Sequence, residues 1–110
     1  MNDGQVARKL EMLIVDDEPT VCLTLKMIFE QEGFKVATAG SAAEAIGALK
    51  NGDRYDMVVT DLHMEREDAG FDLVRVAKKL DPPPVVIVVT GYAPNERRAV
   101  LTQSGREPLP

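Results

Sequence analysis

The sequence predicts an α/β protein built on a doubly wound parallel sheet, and three observations lead to this fold class. Short apolar runs alternate along the chain with segments whose apolar residues recur at helical spacing. The runs are apolar at nearly every position, which is typical of strands buried on both faces of a parallel sheet. Right-handed crossovers between such strands place helices on both sides of one sheet.

Four apolar runs are the predicted strands, and their predicted order across the sheet is 2-1-3-4. Each run is too short for an independent helix, and the last one is β-branched throughout, which favours a central strand. The runs are residues 12–15 (MLIV), 34–38 (FKVAT), 57–60 (MVVT) and 85–89 (VVIVV).

Helix signals fill the gaps between these runs. Pro19 stands where a first helical residue would, apolar residues follow on one stripe, and a glycine ends that helix. Ser41 and Glu44 have capping-box spacing and open a second helix. A third apolar stripe precedes the prolines at 82–84, and residues 94–104 are predicted to form a last helix.

Length and composition are those of one soluble domain. The chain has 110 residues, of which 45% are hydrophobic and 28% are charged. We expect residues 1–110 to form a single domain with a flexible segment at 1–9 and a short tail at 106–110. The net charge of −5 and the scattered bases argue against binding to nucleic acid. The sequence has no membrane span or secretory signal, and its only cysteine, Cys22, is predicted to be a packed residue, so we expect a cytoplasmic location.

Polar residues follow three of the predicted strands. Asp16 and Asp17 end the first strand, Asp61 follows the third, and Thr90 follows the fourth. In the order 2-1-3-4 the first and third strands are neighbours, so these side chains converge in one crevice at the carboxyl edge of the sheet. Like charges at such close range raise each other's pKa or require a cation, and Mg²⁺ is the expected ion because it accepts carboxylates and waters as ligands.

Each of these residues also has a simpler explanation. Asp17 or Glu18 could cap the helix that begins at Pro19. Asp61 could be an ordinary loop or cap residue, and the hydroxyl of Thr90 could bond its own backbone. The joint placement of all these groups at the ends of different strands favours a site.

Three fragments, LIVDDEP, VVTDLHM and VVIVVTG, carry a resemblance to a known family. In this order and at these separations they resemble the receiver domains of two-component response regulators, the CheY-like family with a flavodoxin-like sheet. The resemblance runs from about residue 12 to residue 105. It implies that Asp61 accepts a phosphoryl group from a sensor histidine kinase or a phosphotransfer protein. Such a domain is not an enzyme but a signalling domain that promotes only its own phosphorylation and dephosphorylation.

The resemblance also implies roles for the neighbouring residues. Asp17 and Asp61 would bind Mg²⁺ through their side chains, the backbone carbonyl of His63 would add a ligand, and Asp16 would hold a metal-bound water. Thr90 would hydrogen-bond the phosphoryl group. The positions flanking that group would be His63, Met64 and Tyr92.

The carboxyl-terminal part of the chain departs from the family pattern. A receiver ordinarily has a fifth parallel strand with a lysine that pairs with the phosphoryl group, followed by a fifth helix. That lysine has no counterpart here, because residues 106–110 (REPLP) hold two prolines and cannot form a central strand. Lys78 and Arg106 are not placed to substitute, and Arg97 and Arg98 are interpreted as solvated helix surface.

Without that strand, residues 85–89 become an apolar sheet edge. Such an edge promotes association, and we expect a second copy, a partner or the folded-back carboxyl-terminal tail to cover it. A homodimer through this edge is one of the predicted arrangements.

Three functions compete at this point. The first is a receiver domain of a phosphorelay, and the second is a degenerate receiver-like module that dimerises or docks without phosphorylation. The third is a Mg²⁺-dependent phosphohydrolase with Asp61 as nucleophile and His63 as acid or base, which lacks a substrate-binding cap.

Overall fold

A computed structural model of the protein describes residues 8–61, 69–90 and 98–102. Five strands and three helices form in this part of the chain. The strands are β1 (Glu11–Val15), β2 (Lys35–Ala39), β3 (Met57–Asp61), β4 (Val85–Thr90) and β5 (Arg98–Thr102). The helices are α1 (Pro19–Gln31), α2 (Ala42–Lys50) and α3 (Ala69–Lys78).

The strands form one sheet in the order β2-β1-β3-β4-β5. The pairings of β1 with β2, β1 with β3 and β3 with β4 are all parallel. This confirms the predicted fold class and the predicted 2-1-3-4 order.

The sheet separates two apolar cores, which explains why the strand sequences are apolar on both faces. On β1, Met12 and Ile14 belong to the core on the α1 side, while Leu13 and Val15 belong to the core on the α2 and α3 side. All four of these side chains are no more than 1% exposed. Burying both faces of a strand in this way requires helices on both sides, as in a doubly wound sheet.

The strand register brings polar residues together at one edge of the sheet. Val15 lies beside Thr60, so the chain leaves β1 and β3 at the same level. Asp61 lies beside Val89 on the next strand. The carboxyl ends of β1, β3 and β4 therefore share one edge, which we call the carboxyl edge.

The predicted helix at 94–104 is wrong for the part of it that the structure describes. Residues Arg98–Thr102 form β5, which pairs antiparallel with β4. The helix prediction used the local apolar pattern, which also fits a strand, whereas the open edge of β4 offers backbone hydrogen bonds that no local pattern reveals.

The edge of β4 is consequently occupied by the same chain rather than exposed. The covering segment is residues Arg98–Thr102, which none of the three predicted coverings named, and the tail at 106–110 lies outside the described residues. No parallel fifth strand follows within the described residues. A homodimer through residues 85–89 would have to displace β5, and it stays a prediction.

At the opposite, amino edge of the sheet, Asp56 joins three segments. Its side chain accepts hydrogen bonds from both terminal nitrogens of Arg8, at 2.9 and 3.1 Å, and from the Glu11 N–H at 2.7 Å. Its backbone carbonyl accepts from the Val85 N–H at 3.0 Å. Arg8 is thus tied to the fold, although it lies in the segment at 1–9 that was expected to be flexible.

Candidate functional site

Two buried carboxylates lie at the carboxyl edge. Asp16 follows the last residue of β1 and Asp61 is the last residue of β3, and the two strands are direct neighbours. The exposed fractions of these residues are 5% and 6%. Aspartates are seldom buried to this extent, so their position at adjacent strand ends makes this edge the candidate site.

The carboxylate of Asp16 is held by the start of α1. Its Oδ1 atom accepts a hydrogen bond from the Glu18 N–H at 2.9 Å, and the Asp16 N–H donates to the Ala39 carbonyl at 3.1 Å. Glu18 occupies the N-cap position of α1 but makes no capping bond with its side chain. The simpler explanation of Glu18 as a helix cap is therefore wrong, because Asp16 bonds the backbone there instead.

Cys22 anchors α1 beneath this turn. Its thiol donates to the Asp16 carbonyl at 3.3 Å and its side chain is buried, as predicted for a packed cysteine. Burial raises the pKa of the Cys22 thiol, and the nearby charge of Asp16 raises it further. The thiol is thus kept neutral, and its role is to pack α1 against the site.

The charges of both buried carboxylates act on the carboxyl group of Asp17. Desolvation raises the pKa of the Asp17 carboxyl, and the charges of Asp16 and Asp61 raise it further. This repulsion is the expected property of acidic groups drawn together at one sheet edge. Asp17 is therefore within electrostatic range of Asp16 and Asp61.

The donor chemistry of this cluster fits a hard divalent cation. Carboxylate oxygens are the ligands Mg²⁺ prefers, and a dication removes the repulsion among the three groups. Within residues 8–61, 69–90 and 98–102, however, no group of three or more His, Cys, Asp or Glu side chains is placed so that it could hold a metal ion. The predicted further ligand, the carbonyl of His63, lies outside the described residues.

Thr60 contributes a contact that the sequence did not predict. Its side chain is fully buried, and its hydroxyl donates to the Asp61 carbonyl at 3.0 Å. This bond fixes the backbone at the point where the chain leaves β3. A threonine at the end of an otherwise valine-rich strand is a weak signal, because threonine is also a common strand residue.

Thr90 ends β4 and is one residue beyond Val89, which is level with Asp61. The backbone of Thr90 therefore stands at the carboxyl edge, as predicted. The side chain of Thr90 and the predicted flanking residues His63, Met64 and Tyr92 lie outside the described part of the structure.

With this geometry in place, the chain was compared with known proteins. Residues 12–107 match the response regulator receiver domain family. The chain belongs to this family. It is a receiver domain of the type found in response regulators of two-component systems, in which phosphorylation on an aspartate is typical.

Curated relatives of this receiver domain are longer than the chain. The transcriptional regulatory protein GlrR of Escherichia coli is 34% identical over 94 residues, which are 86% of this chain and 21% of that protein. The probable transcriptional regulatory protein TcrX of Mycobacterium tuberculosis is 34% identical over 104 residues, 94% of this chain and 42% of that protein. The chain thus spans less than half of either relative.

Solved receiver structures share the fold. A response regulator receiver protein from Sinorhizobium medicae has a TM-score of 0.72 and 32% identity, covering 80% of this chain and 71% of that one. The response regulator TrrA of Thermotoga maritima, solved in complex with Mg²⁺ and beryllofluoride, has a TM-score of 0.66 and 28% identity, covering 76% of this chain and 71% of that one.

No helix in the described part of the receiver domain combines the length and the apolar character needed to cross a membrane.

Proposed function

We propose that this receiver domain is a Mg²⁺-dependent phosphoryl acceptor and that Asp61 is the acceptor. The observation that carries the proposal is the burial of Asp61 and Asp16 at the ends of neighbouring parallel strands, with Asp17 beside them. In this arrangement the carboxylates would bind a cation, and one of them would accept a phosphoryl group.

The proposed reaction is an in-line transfer to the carboxylate of Asp61. One Oδ atom attacks the phosphorus of a phosphohistidine or a small acyl phosphate, and an O–P bond forms as the donor's N–P or O–P bond breaks. The leaving imidazole takes a proton from solvent, whereas acetate leaves as the anion. The enzyme-like contribution of the domain is mainly positioning, since phosphoryl transfer gains most from alignment and charge neutralisation.

The chain's own residues would orient this step. The hydroxyl of Thr60 holds the backbone of Asp61 at 3.0 Å, and the Glu18 N–H holds the carboxylate of Asp16 at 2.9 Å. Asp17 and Asp61 would ligate Mg²⁺, with the carbonyl of His63 as a further ligand and Asp16 on a coordinated water. When bound, the ion supplies the positive charge that lets an anionic nucleophile meet an anionic phosphoryl group.

Thr90 would detect the product. An aspartyl phosphate adds nearly two negative charges to the carboxyl edge, and the end of β4 is one strand away from Asp61. A hydroxyl at that place can hydrogen-bond the phosphoryl oxygens. The proposed donors are a sensor histidine kinase or a phosphotransfer protein, in keeping with relatives such as the two-component response regulator ARR11 of Arabidopsis thaliana, which is 37% identical over 84 residues.

The test is phosphorylation by acetyl phosphate, followed by intact mass. In the presence of Mg²⁺ the wild type gains one phosphoryl group, and chelation of the ion prevents it. Asp61→Asn abolishes the gain, whereas Asp56→Asn, which removes a carboxylate from the opposite edge of the sheet, leaves it in place. Phosphoryl incorporation by Asp61→Asn at the wild-type rate would refute the assignment of Asp61.

A docking module indifferent to phosphate is the less favoured function, because it gives no reason for burying two aspartates at adjacent strand ends. It predicts no mass gain with any phosphodonor. A phosphohydrolase instead predicts continuous turnover of an external phosphoester.

A further inference from the structure

The two faces of β4 differ in how well they are covered. Val86 and Val88 belong to the core on the α2 and α3 side and are buried. Ile87 and Val89 belong to the core on the α1 side and are only partly buried. On β1, by contrast, the side chains of both faces are buried. The cover on the α1 side therefore decreases from the centre of the sheet toward β4.

The number of helices on each side of the sheet explains this difference. Within the described part of the chain, α2 and α3 contribute to the core on one side, whereas α1 is the only helix on the other. α1 packs on β1 and β2. Because a helix about 10 Å wide covers about two strands spaced about 4.8 Å apart, the part of this face over β3 and β4 is left without a helix. We call this part, which carries Met57, Ile87 and Val89, the open half-face.

The rest of the chain is too short to cover the open half-face with a helix. Five-residue strands are about 17 Å long, and a helix that rises about 1.5 Å per residue needs about 11 residues to cross that length. The stretches outside the described ranges have seven or eight residues each, at 1–7, 62–68, 91–97 and 103–110. A covering helix therefore has to come from outside these 110 residues.

The outer surface of α1 is a second apolar feature on the same side of the sheet. Leu23, Met27 and Ile28 are each about half exposed or more. Leu23 and Met27 are four residues apart, so they lie on one side of the helix. The only charged residues of α1, Lys26 and Glu30, are 3.7 Å apart and of opposite sign. This surface therefore opposes burial against an apolar partner less than an ordinary charged helix surface would.

A second copy of the chain fits both features at once. A two-fold axis parallel to the strands turns the second copy face to face with the first and places its α1 over the open half-face. The α1 of the first copy then covers the open half-face of the second, as an isologous interface requires. The two helices lie side by side in one layer between the two sheets. Their expected axial separation of about 8–10 Å matches the two strand spacings from β1 to β4, which amount to about 10 Å.

The area available is that of a small protein interface. The 13 residues of α1 form a helix about 20 Å long and about 10 Å wide. Strands β3, β4 and β5 add a surface of about 14 by 17 Å. Together these make roughly 440 Å² of planar surface on each copy, compared with about 800 Å² of accessible surface per partner in a standard interface. We therefore expect a dimer that dissociates on dilution.

We propose that two copies of this receiver domain associate face to face, with each α1 packed on the open half-face of the other copy. The inference does not depend on the proposed function, because it uses neither the metal ion nor the phosphoryl group. It also differs from a homodimer through the edge at 85–89. The contact uses the face of β4 and leaves its pairing with β5 in place.

The first test is sedimentation equilibrium of the wild type between about 10 µM and about 1 mM. Met27→Lys puts an unpaired charge into the interface of each copy and is expected to weaken association at least about 100-fold. Phe71→Lys is the matched control, since Phe71 is 52% exposed, against 55% for Met27, but lies on α3. It should change the dissociation constant by less than about twofold. Both side chains are exposed, so both variants are expected to fold, and their amide spectra check this.

Methyl spectra of the isoleucines locate the interface. The four isoleucines are Ile14, Ile28, Ile46 and Ile87. Ile28 on α1 and Ile87 on the open half-face are expected to shift as the concentration rises through the dissociation constant. Ile46 lies on α2, on the other side of the sheet, and is expected to stay in place. In Met27→Lys the shifts of Ile28 and Ile87 should disappear over the same range of concentration.

Three results would overturn the proposal. The first is a wild type that stays monomeric at about 1 mM. The second is association that Met27→Lys leaves unchanged, or that Phe71→Lys weakens just as much. The third is a concentration-dependent shift of Ile46 without shifts of Ile28 and Ile87, because the interface would then lie on the α2 and α3 side of the sheet.

Discussion

The two edges of the sheet shift the pKa values of their aspartates in opposite directions. At the amino edge, Asp56 is paired with Arg8 and accepts the Glu11 N–H, and these hydrogen bonds lower the pKa of its carboxyl. At the carboxyl edge, desolvation and the charges of Asp16 and Asp61 raise the pKa of Asp17.

The difference separates a structural contact from the candidate site. The charge of Asp56 is satisfied by the protein itself, so that edge has no need of a ligand. The carboxyl edge concentrates negative charge at the ends of parallel strands, and a bound cation would lower the repulsion among these groups. Four predictions follow from this contrast, in order of decreasing effect.

The first prediction concerns Mg²⁺ affinity. Asp17→Ala removes a proposed ligand and is expected to weaken Mg²⁺ binding by at least about 10-fold, a loss typical even of outer-shell partners. Asp56→Ala removes a carboxylate from the amino edge and should change the affinity by less than about twofold. Titration of Mg²⁺ against amide spectra measures both, and equal losses in the two variants would contradict the contrast.

The second prediction concerns stability without Mg²⁺, and it reverses the order of the two variants. Asp56→Ala is expected to lower the free energy of unfolding by about 1–2 kcal/mol, because the Glu11 N–H loses its charged acceptor. Asp17→Ala should stay within about 0.5 kcal/mol of the wild type, since an exposed and repelled carboxylate contributes little. Urea denaturation measures both values, and a larger loss in Asp17→Ala would be the contrary result.

The third prediction concerns pH. The pKa of Asp56 is lowered in the folded state, so its contribution to stability is present above the unfolded-state value of about 3.9 and is lost as the pH falls through the folded-state value. The stability difference between wild type and Asp56→Ala should therefore shrink between about pH 5 and about pH 2. Urea midpoints over this range provide the measurement. A difference that grows on acidification would have the wrong sign.

The fourth prediction compares an ionic contact with a neutral one. Ser41 caps α2 by accepting the Glu44 N–H at 3.0 Å, and Ser41→Ala should cost about 1 kcal/mol. Added salt screens the exposed pair of Arg8 and Asp56 but not this hydroxyl contact. In about 1 M salt the loss in Asp56→Ala should decrease while that in Ser41→Ala persists, as chemical denaturation with urea can measure. An equal salt effect on both variants would contradict it.

Local chemistry in the sequence accounts for much of the fold. The runs apolar on both faces predicted β1, β3 and β4 to within a residue or two. The capping box at Ser41 predicted the start of α2, where Glu44 also accepts the Gly40 N–H at 2.7 Å. These features depend on neighbours only a few residues apart, so the sequence displays them directly.

Other features depend on partners distant in the chain. The hydrogen bonds from Arg8 to Asp56 join residues 48 positions apart, and no local sequence pattern predicts them. The turn at Asp16 is another case: the acidic stretch predicted a cap, but only the structure assigns the bond to Asp16 rather than to Glu18.

The sequence by itself determined that parallel strands end in aspartates at one edge, because apolar runs followed by acidic residues leave few other arrangements. Only the tertiary structure decided that residues 98–102 form a strand and that Arg98 stands beside Thr90. The physical reason is that the backbone groups at the open edge of β4 can hydrogen-bond any segment that comes near them. Which segment does so depends on the folded arrangement of the chain and not on local sequence.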